Sequence, residues 1–169
     1  LAPHSIEAEQ QLLGGILNNN DLFYSLEDKI KGEHFYDPVH SRIFDVVASR
    51  INDGKLASAV TVNTFLTEDE GLKELGGSAY LAQLMAASLA SSAIKDYSNL
   101  VYDLAIRREL IVLGQEISSR AQSVKVDEKS EDQIILAEQH LYKIGDTGKS
   151  ETDFKSFLKA IHEAVDVAN

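Results

Sequence analysis

The stretch that decides the fold spans residues 91–123 and reads SSAIKDYSNLVYDLAIRRELIVLGQEISSRAQS. It contains no proline, and its apolar side chains recur at near-helical spacing, at Ile94, Tyr97, Val101, Leu104, Ile111 and Ile117. One long α helix is therefore predicted. The polar segment VKVDEKSED (124–132) ends this pattern, and QIILAEQHLYKI (133–144) resumes it in a second helix. Two helices joined by a short polar turn predict an antiparallel hairpin over residues 91–145.

Residues 1–90 predict a compact head made of short helices. The segment SIEAEQQLLGGILNN (5–19) carries an apolar stripe after Ser5, whose hydroxyl is a typical helix N-cap. Glycine is unfavourable inside a helix, so the pair Gly14-Gly15 indicates that a neighbouring helix approaches closely there. In DPVHSRIFDVVASRINDG (37–54), Pro38 suits the first turn of a helix because its missing N–H would be unpaired anyway.

The rest of the head predicts three more short helices, in NDLFYSLEDKI (20–30), TVNTFLTEDEGLKEL (61–75) and GGSAYLAQLMAASL (76–89). β-branched residues cluster only in SAVTVNTF (58–65), which fits either a short strand or the start of a helix. The predicted fold class is therefore all-α, with a head, a hairpin and a C-terminal helix.

Residues 146–169 predict a flexible linker followed by an amphipathic helix. An apolar stripe with charges opposite runs along the end of the chain, at Phe154, Phe157, Leu158, Ile161, Val165 and Ala168. Two interpretations stay open from the pattern itself. The helix either folds back on its own core or docks on another subunit or a further domain.

The linker contains Gly148-Lys149-Ser150, the ending of a phosphate-binding loop. The full pattern requires a glycine five residues before Gly148, where this chain has Lys143, and it requires a preceding strand. The upstream residues have helical spacing instead, so the triplet is interpreted as part of the linker. The residues indicate neither a nucleotide cofactor nor a catalytic set.

The composition narrows the classes of function. The chain carries 27 acidic and 16 basic residues, for a net charge of −11, and both halves share the acidic excess. This balance is unfavourable for gripping a nucleic-acid backbone and favours a protein partner with a basic face. There are no cysteines, no apolar run long enough to span a membrane and no leader-like start. These features predict a cytoplasmic protein without membrane contact.

His34, Asp37 and His40 recur every third residue beside Glu33, a set that a metal ion could use. Because Pro38 interrupts the alignment and no fourth ligand follows, no metal site is predicted. His40 is instead expected to be a half-buried hydrogen-bonding residue at a helix start.

Two charged clusters have simple interpretations. The consecutive acids Glu68, Asp69 and Glu70 predict a solvated loop, since a helix would fan them around its axis. The pair Arg107-Arg108 is expected to pair with acids such as Asp103 or to make an interface contact.

Four segments then carry a resemblance, in one order and spacing: SIEAEQQLLGGIL (5–17), FYDPVHSRIF (35–44), VTVNTFL (60–66) and LGGSAYLAQL (75–84). Together they resemble the N-terminal domain of the bacterial replicative DNA helicase of the DnaB type. The opening PHSIEAEQ (3–10) is the most specific element. The segments RREL, ILAEQHLYKI and FKSFLKAIHEAV fall where that family has its helical hairpin and its linker helix.

The resemblance implies an assembly and partner-binding domain. In the family, N-terminal domains form a collar of paired hairpins on a hexamer, and the collar receives the primase and, in some relatives, a helicase loader. ATP, Mg²⁺ and DNA belong to a RecA-like domain that follows the linker helix, and unwinding runs 5′→3′. This chain is expected to stop before that domain.

The resemblance also implies candidate site residues. Tyr80, Ile111 and Ile117 are expected in self-association or partner binding. The linker-helix residues expected to dock on the RecA-like domain of a neighbouring subunit are Phe157, Leu158, Ile161 and Val165. Two alternatives remain, namely an enzyme that uses the Gly-Lys-Ser triplet and an unrelated helical adaptor. Nucleotide-binding calorimetry separates the collar from the enzyme.

Overall fold

The computed structural model describes the backbone at residues 1–88, 91–146 and 151–168, and the side chains at 1–88, 91–146 and 159–167. Every regular element in these ranges is a helix, so the all-α prediction is confirmed. The helices are α1 (Ile6–Asn18), α2 (Pro38–Asn52), α3 (Ala59–Phe65), α4 (Glu70–Leu75), α5 (Ser78–Ala87), α6 (Ile94–Gln122), α7 (Ser130–Asp146) and α8 (Glu151–Ala168). Short 3₁₀ helices cover Asn20–Ser25, Gly32–His34 and Ser91–Ala93.

The chain divides into two compact units, unit 1 (Leu1–Arg108) and unit 2 (Glu109–Asn169). The division falls inside α6, whose first half packs its apolar side chains into the core of unit 1. The head, hairpin and linker boundaries at 90/91 and 145/146 stay predictions from the sequence. The unit boundary inside α6 could not be predicted from the sequence. Helical spacing shows where a helix runs, whereas tertiary contacts decide to which core each half of it belongs.

Unit 1 has one continuous hydrophobic core. Helix α1 packs most extensively on α5 and also meets α2, while α3 packs on both α5 and α2. The largest fully buried apolar side chains at its centre are Leu12, Leu13, Ile16, Ile43, Val47, Val62, Leu72, Leu81 and Leu84. Burial of apolar surface on this scale is the main force that stabilises a small domain.

The glycine pair of α1 explains the close packing of α1 on α5. A Cβ added to Gly14 would lie 2.0 Å from the carbonyl oxygen of Leu84. A Cβ on Gly15 would lie 2.5 Å from the Ile94 side chain at the start of α6. The predicted close approach of a neighbouring helix is confirmed, because no other residue leaves room for the backbone of α5.

Local capping follows the sequence at two starts. The Ser5 hydroxyl accepts from the N–H of Ala8 at the start of α1, and Pro38 opens α2 as predicted. The segment 58–65 resolves to a helix, α3, capped by Ser58. The single helix predicted over residues 61–75 is wrong, because the chain leaves the helical conformation after Phe65 and α4 begins at Glu70.

That break depends on Asp69, which was predicted to lie in a solvated loop. The Asp69 carboxylate instead caps α4 by accepting from the N–H of Leu72 at 2.9 Å, and its side chain is largely buried. Its two oxygens also accept from Nε and Nη2 of Arg42, at 2.5 and 3.0 Å. This donation by Arg42, followed by the Leu72 N–H, lowers the pKa of Asp69. The solvated-loop prediction is therefore wrong at Asp69.

Candidate interaction surface on the hairpin

Unit 2 contains the second half of α6 and all of α7, joined by residues 123–129; this part, residues 109–146, is called the unit 2 hairpin. Polar contacts tie its two helices together. Gln133 Nε2 donates to the Arg120 carbonyl at 3.3 Å, and the His140 Nδ1 and Glu116 Oε2 atoms lie 3.9 Å apart. Leu113 is the buried residue of α6 in this unit.

A partly open groove with a volume of about 240 Å³ runs between the two helices. Most of its accessible surface is apolar, and its polar lining residues are Glu116, Arg120, Ser130, Gln133 and His140. The walls of this hairpin groove are formed by Leu113, Glu116, Ile117, Arg120, Ala121, Ser130, Gln133, Ile134, Leu136, Ala137 and His140.

A second depression of the unit 2 hairpin has a different character. Besides Val112, it is lined by polar and charged side chains such as Gln115, Ser119, Lys125 and Glu128. The unit 2 hairpin therefore has an apolar groove and, along the same α6 segment, a more polar depression. The second depression exposes more polar surface than the groove does, so displacing its water costs more hydrogen bonds for a similar apolar gain.

Apolar side chains also lie outside the groove. Ile135 and Tyr142 of α7 are exposed and line a shallow apolar depression. On α6, Leu110 and Ile111 are exposed as well. A soluble domain seldom leaves so many large apolar side chains on one short segment in contact with water, unless a partner covers them.

The structure places the predicted site residues in three different settings. Ile111 and Ile117 are on the unit 2 hairpin, each 46% exposed, and Ile117 lines the groove. Ile161 and Val165 are exposed on α8. The side chains of Phe157 and Leu158 lie outside the described residues, as does the triplet at 148–150.

Tyr80 lies elsewhere, in the core of unit 1 with 7% of its surface exposed. Its hydroxyl contacts Nε2 of His40 at 2.5 Å and accepts from Nε2 of Gln10 at 3.4 Å. Burial raises the pKa of Tyr80 above its usual value. A role of Tyr80 in partner binding stays a prediction, and the contacts that the structure gives it are internal to the head.

Beyond His40 lies a residue that the sequence analysis missed. Glu9 is 2% exposed and accepts from His40 Nδ1 at 2.7 Å and from the backbone N–H groups of Tyr36 and Asp37. His40 is fully buried, so the expectation of a half-buried residue is wrong. Nothing local signals this contact, because Glu9 and His40 are 31 positions apart and belong to different helices.

The residues considered for a metal site are not brought together. His34 accepts from the Lys31 N–H through Nδ1 and packs edge-on against Tyr102, and burial lowers its pKa. Asp37 caps α2 by accepting from the N–H of Val39. Across the described residues, no group of three or more candidate ligands has the geometry to hold a metal ion.

The arginine pair of α6 makes two kinds of contact. Arg107 Nε donates to Asp103 at 2.7 Å, which confirms the predicted ion pair. Arg108 donates to the carbonyls of Pro3 and His34 and lies over the Tyr36 ring, so it fastens the N-terminal segment to unit 1.

None of the described helices is long and apolar enough to cross a bilayer.

Comparison with known proteins agrees with this architecture. Residues 1–103 match the family described as DnaB-like helicase N terminal domain. The replicative DNA helicase DnaB of Rickettsia prowazekii is 36% identical over 163 residues, which cover 96% of this chain and 34% of the relative. That of Pasteurella multocida is 34% identical over 123 residues, or 73% of this chain and 26% of the relative. The chain thus spans about a third of the length of the Rickettsia relative and about a quarter of the Pasteurella relative.

Two solved structures share the fold. The N-terminal domain of DnaB helicase from Mycobacterium tuberculosis superposes with a TM-score of 0.73 at 24% identity, covering 85% of this chain and 99% of that one. A DnaB-like replicative helicase, solved in a study of its interactions with primase, gives a TM-score of 0.66 at 23% identity, covering 94% and 35%. The family match, which covers more than half of the chain, shows that this protein belongs to the DnaB-like helicase N-terminal domain family.

Proposed function

We propose that this chain is the N-terminal assembly and partner-binding domain of a replicative, ATP-dependent 5′→3′ DNA helicase. Its task is to pair subunits within a hexameric ring and to recruit primase, with a helicase loader as a further partner. The single observation that carries the proposal is the apolar groove of the unit 2 hairpin, whose walls include the exposed residues Ile117 and Ile134. Exposed apolar surface of this kind marks a site of protein–protein interaction.

Burial of apolar area can supply the free energy of association. Exposed apolar surface is worth roughly 25 cal/mol per Å² when it is buried, so a few hundred Å² on each hairpin supply several kcal/mol. Association has its own large entropic cost, which explains why one groove alone makes a weak, reversible contact. Hexamer assembly fits this, because several weak contacts within a ring act together.

The charges favour a basic partner for surfaces that remain after pairing. The unit 2 hairpin carries eight acidic and four basic side chains over residues 109–146. An acidic hairpin attracts a partner segment with a basic face and disfavours direct contact with a nucleic-acid backbone. Primase, with which one structurally similar DnaB-like helicase interacts, is the proposed partner for this surface.

Catalysis is assigned to the part of the parent protein outside this chain. We propose that ATP and Mg²⁺ bind a RecA-like domain, that DNA contacts the same domain and that the protein is cytoplasmic.

On α8, Ile161 and Val165 are exposed, which supports a docking role for this helix on a neighbouring subunit. Phe157 and Leu158 belong to the same proposed docking stripe. The family membership removes the unrelated adaptor from the alternatives.

Substitution of one groove residue tests the proposal. Ile117→Asp places a charge in the apolar groove, and burial of an unpaired charge costs several kcal/mol in a complex. Sedimentation velocity is expected to show weaker self-association, and a pull-down with primase is expected to show weaker binding. Ile111→Asp tests the adjacent exposed surface of α6 in the same way.

Ser119→Asp is the matched control, since it adds the same charge to the same helix but in the polar depression. It is expected to leave both associations near the wild-type level. Circular dichroism of each variant confirms that the helices remain folded. Full retention of self-association and of primase binding in both isoleucine variants would contradict the proposed interface.

A further inference from the structure

A continuous chain of hydrogen bonds crosses the core of unit 1 from α1 to α2 to α5 and back to α1. It begins at the Glu9 carboxylate, passes through the two ring nitrogens of His40 to the Tyr80 hydroxyl, and ends at the Gln10 side-chain amide. Glu9 and His40 are fully buried or nearly so, and Tyr80 is 7% exposed. The proposed assembly function of the hairpin makes no use of these groups.

The direction of each hydrogen bond follows from which atoms can donate. An ionised carboxylate only accepts, and that of Glu9 accepts from the backbone N–H of Tyr36 and of Asp37. The contact of Glu9 Oε2 with His40 at 2.7 Å therefore requires the proton on His40 Nδ1. In a neutral imidazole the other nitrogen, Nε2, must then accept.

Because His40 Nε2 accepts, the directions of the two remaining hydrogen bonds follow. Tyr80 must donate its O–H to His40 Nε2, and its oxygen then accepts an N–H of Gln10. With His40 neutral, the contacts Glu9–His40, His40–Tyr80 and Tyr80–Gln10 each join one donor to one acceptor. In the part of the molecule that the structure describes, no buried side-chain nitrogen or oxygen atom lacks a hydrogen-bond partner.

Adding one proton from solvent to the Glu9–His40 pair reverses the direction of the hydrogen bond between His40 and Tyr80. With both ring nitrogens protonated, Nε2–H donates to the Tyr80 oxygen, so Tyr80 must direct its own O–H elsewhere. The neighbouring group is the Gln10 amide, which presents its nitrogen to Tyr80 in the neutral state. A rotation of that amide by half a turn presents its oxygen instead, and Tyr80 then donates to Gln10.

We propose that Glu9, His40, Tyr80 and Gln10 form a two-state proton switch, in which the Gln10 amide flips when His40 is protonated. The switch lets the core of the head take up a proton without leaving a buried polar group unpaired. Glu9 and Tyr80 face His40 from α1 and α5, and Asp37 carries its charge at the start of α2. Gln10 is the residue that connects the two states, so its identity sets the response to pH.

The first test reads the tautomer directly. Nitrogen-15 NMR of the histidine ring in the wild-type chain at pH 8 is expected to show protonated Nδ1 and unprotonated Nε2 for His40. Protonated Nε2 in the neutral ring would overturn the proposal. This measurement needs no variant, so it stands even if substitutions in the core impair folding.

The second test removes the flipping amide. Gln10→Leu leaves the Tyr80 O–H without an acceptor in the protonated state only, so the midpoint of the His40 titration is expected to fall by about 0.5–1 pH unit. Gln10→Glu supplies a permanent acceptor and is expected to raise the same midpoint. A general loosening of the core does not predict this reversal of sign.

Two controls accompany these variants. Gln83→Leu makes the same change at an exposed position of α5 and is expected to leave the His40 midpoint at its wild-type value. His34, a buried histidine of the same head that packs against Tyr102, reports any general rearrangement. An unchanged His40 midpoint in a folded Gln10→Leu variant would show that the amide is not part of the switch.

Discussion

The two units use the same kind of element in opposite ways. In unit 1 the large apolar side chains of α1 and α2 are covered by neighbouring helices, and Leu12 and Ile43 have no exposed surface. In unit 2 comparable side chains remain in water, with Ile134 58% and Tyr142 68% exposed. Unit 1 therefore supplies its own core, whereas unit 2 leaves large apolar side chains exposed, where the proposed assembly would cover them. The difference separates the residues that stabilise the fold from those available for assembly.

Truncation of one leucine in unit 1 is expected to give the largest effect. Leu12→Ala removes buried methyl groups and leaves a cavity, which costs about 2–5 kcal/mol of folding free energy. The matched change in unit 2, Ile134→Ala, is expected to alter stability by less than about 0.5 kcal/mol, since the side chain is exposed. Urea denaturation at low protein concentration measures both. A similar loss for the two variants would remove the distinction between the units.

Adding one methyl group to a helical glycine is expected to change stability in opposite directions in the two units. Gly14→Ala forces a Cβ against the Leu84 carbonyl and is expected to destabilise unit 1 by about 1–3 kcal/mol. Gly114→Ala meets no atom within 4 Å, so it is expected to stabilise α6 by up to about 1 kcal/mol through helix propensity. Thermal unfolding followed by circular dichroism decides the signs.

The Gly114→Ala variant also tests assembly. If another helix packs against this exposed part of α6, the added methyl group is expected to weaken self-association while the monomer becomes more stable. Sedimentation velocity and thermal unfolding should then move in opposite directions. A variant that is less stable as a monomer would show that Gly114 is already enclosed by its own chain.

The smallest predicted effect concerns the ion pair between Arg42 and Asp69. Because the pKa of Asp69 is lowered in the folded state, the pair stabilises unit 1 above the ordinary aspartate value near 3.8. That stabilisation is lost as the pH falls through the lowered pKa. Arg42 is 43% exposed, so solvent screening limits the contribution to about 1 kcal/mol or less at neutral pH.

Asp69→Asn keeps an N-cap residue on α4 but removes the charge. The stability difference between wild type and variant is expected to be present at pH 7 and to shrink below about pH 4. Urea titrations across this range measure it. A difference that grows on acidification would show that the carboxylate is destabilising in the folded state.

Much of unit 1 could be predicted because its signals are local. Ser5 and Pro38 specify helix starts through their own chemistry, and the pair Gly14-Gly15 indicates a closely packed neighbouring helix. The features that the sequence did not predict depend on contacts between residues far apart in the chain. The turn before α4 depends on Asp69 and its contact with Arg42, 27 positions away, which no window of the sequence reveals.

The candidate interaction surface also has a part that the sequence predicted and a part that it could not. The exposed positions Ile111 and Ile117 lie on the hairpin that the helical spacing and the resemblance indicated. The groove itself requires α6 and α7 to be brought together, so its volume and its polar margin could not be read from either helix alone. Glu9 was missed because a single glutamate in an amphipathic helix carries no sign that it will be buried.

Hydrogen exchange at two protein concentrations tests the central claim most directly. Unit 1 covers its own core, so its amides are expected to show the same protection at both concentrations. Amides of the unit 2 hairpin are expected to become more protected when the concentration rises about a hundredfold, because association stabilises the surface that it buries. Strong protection of residues 109–146 that does not depend on concentration, in a chain shown to be monomeric, would contradict the account.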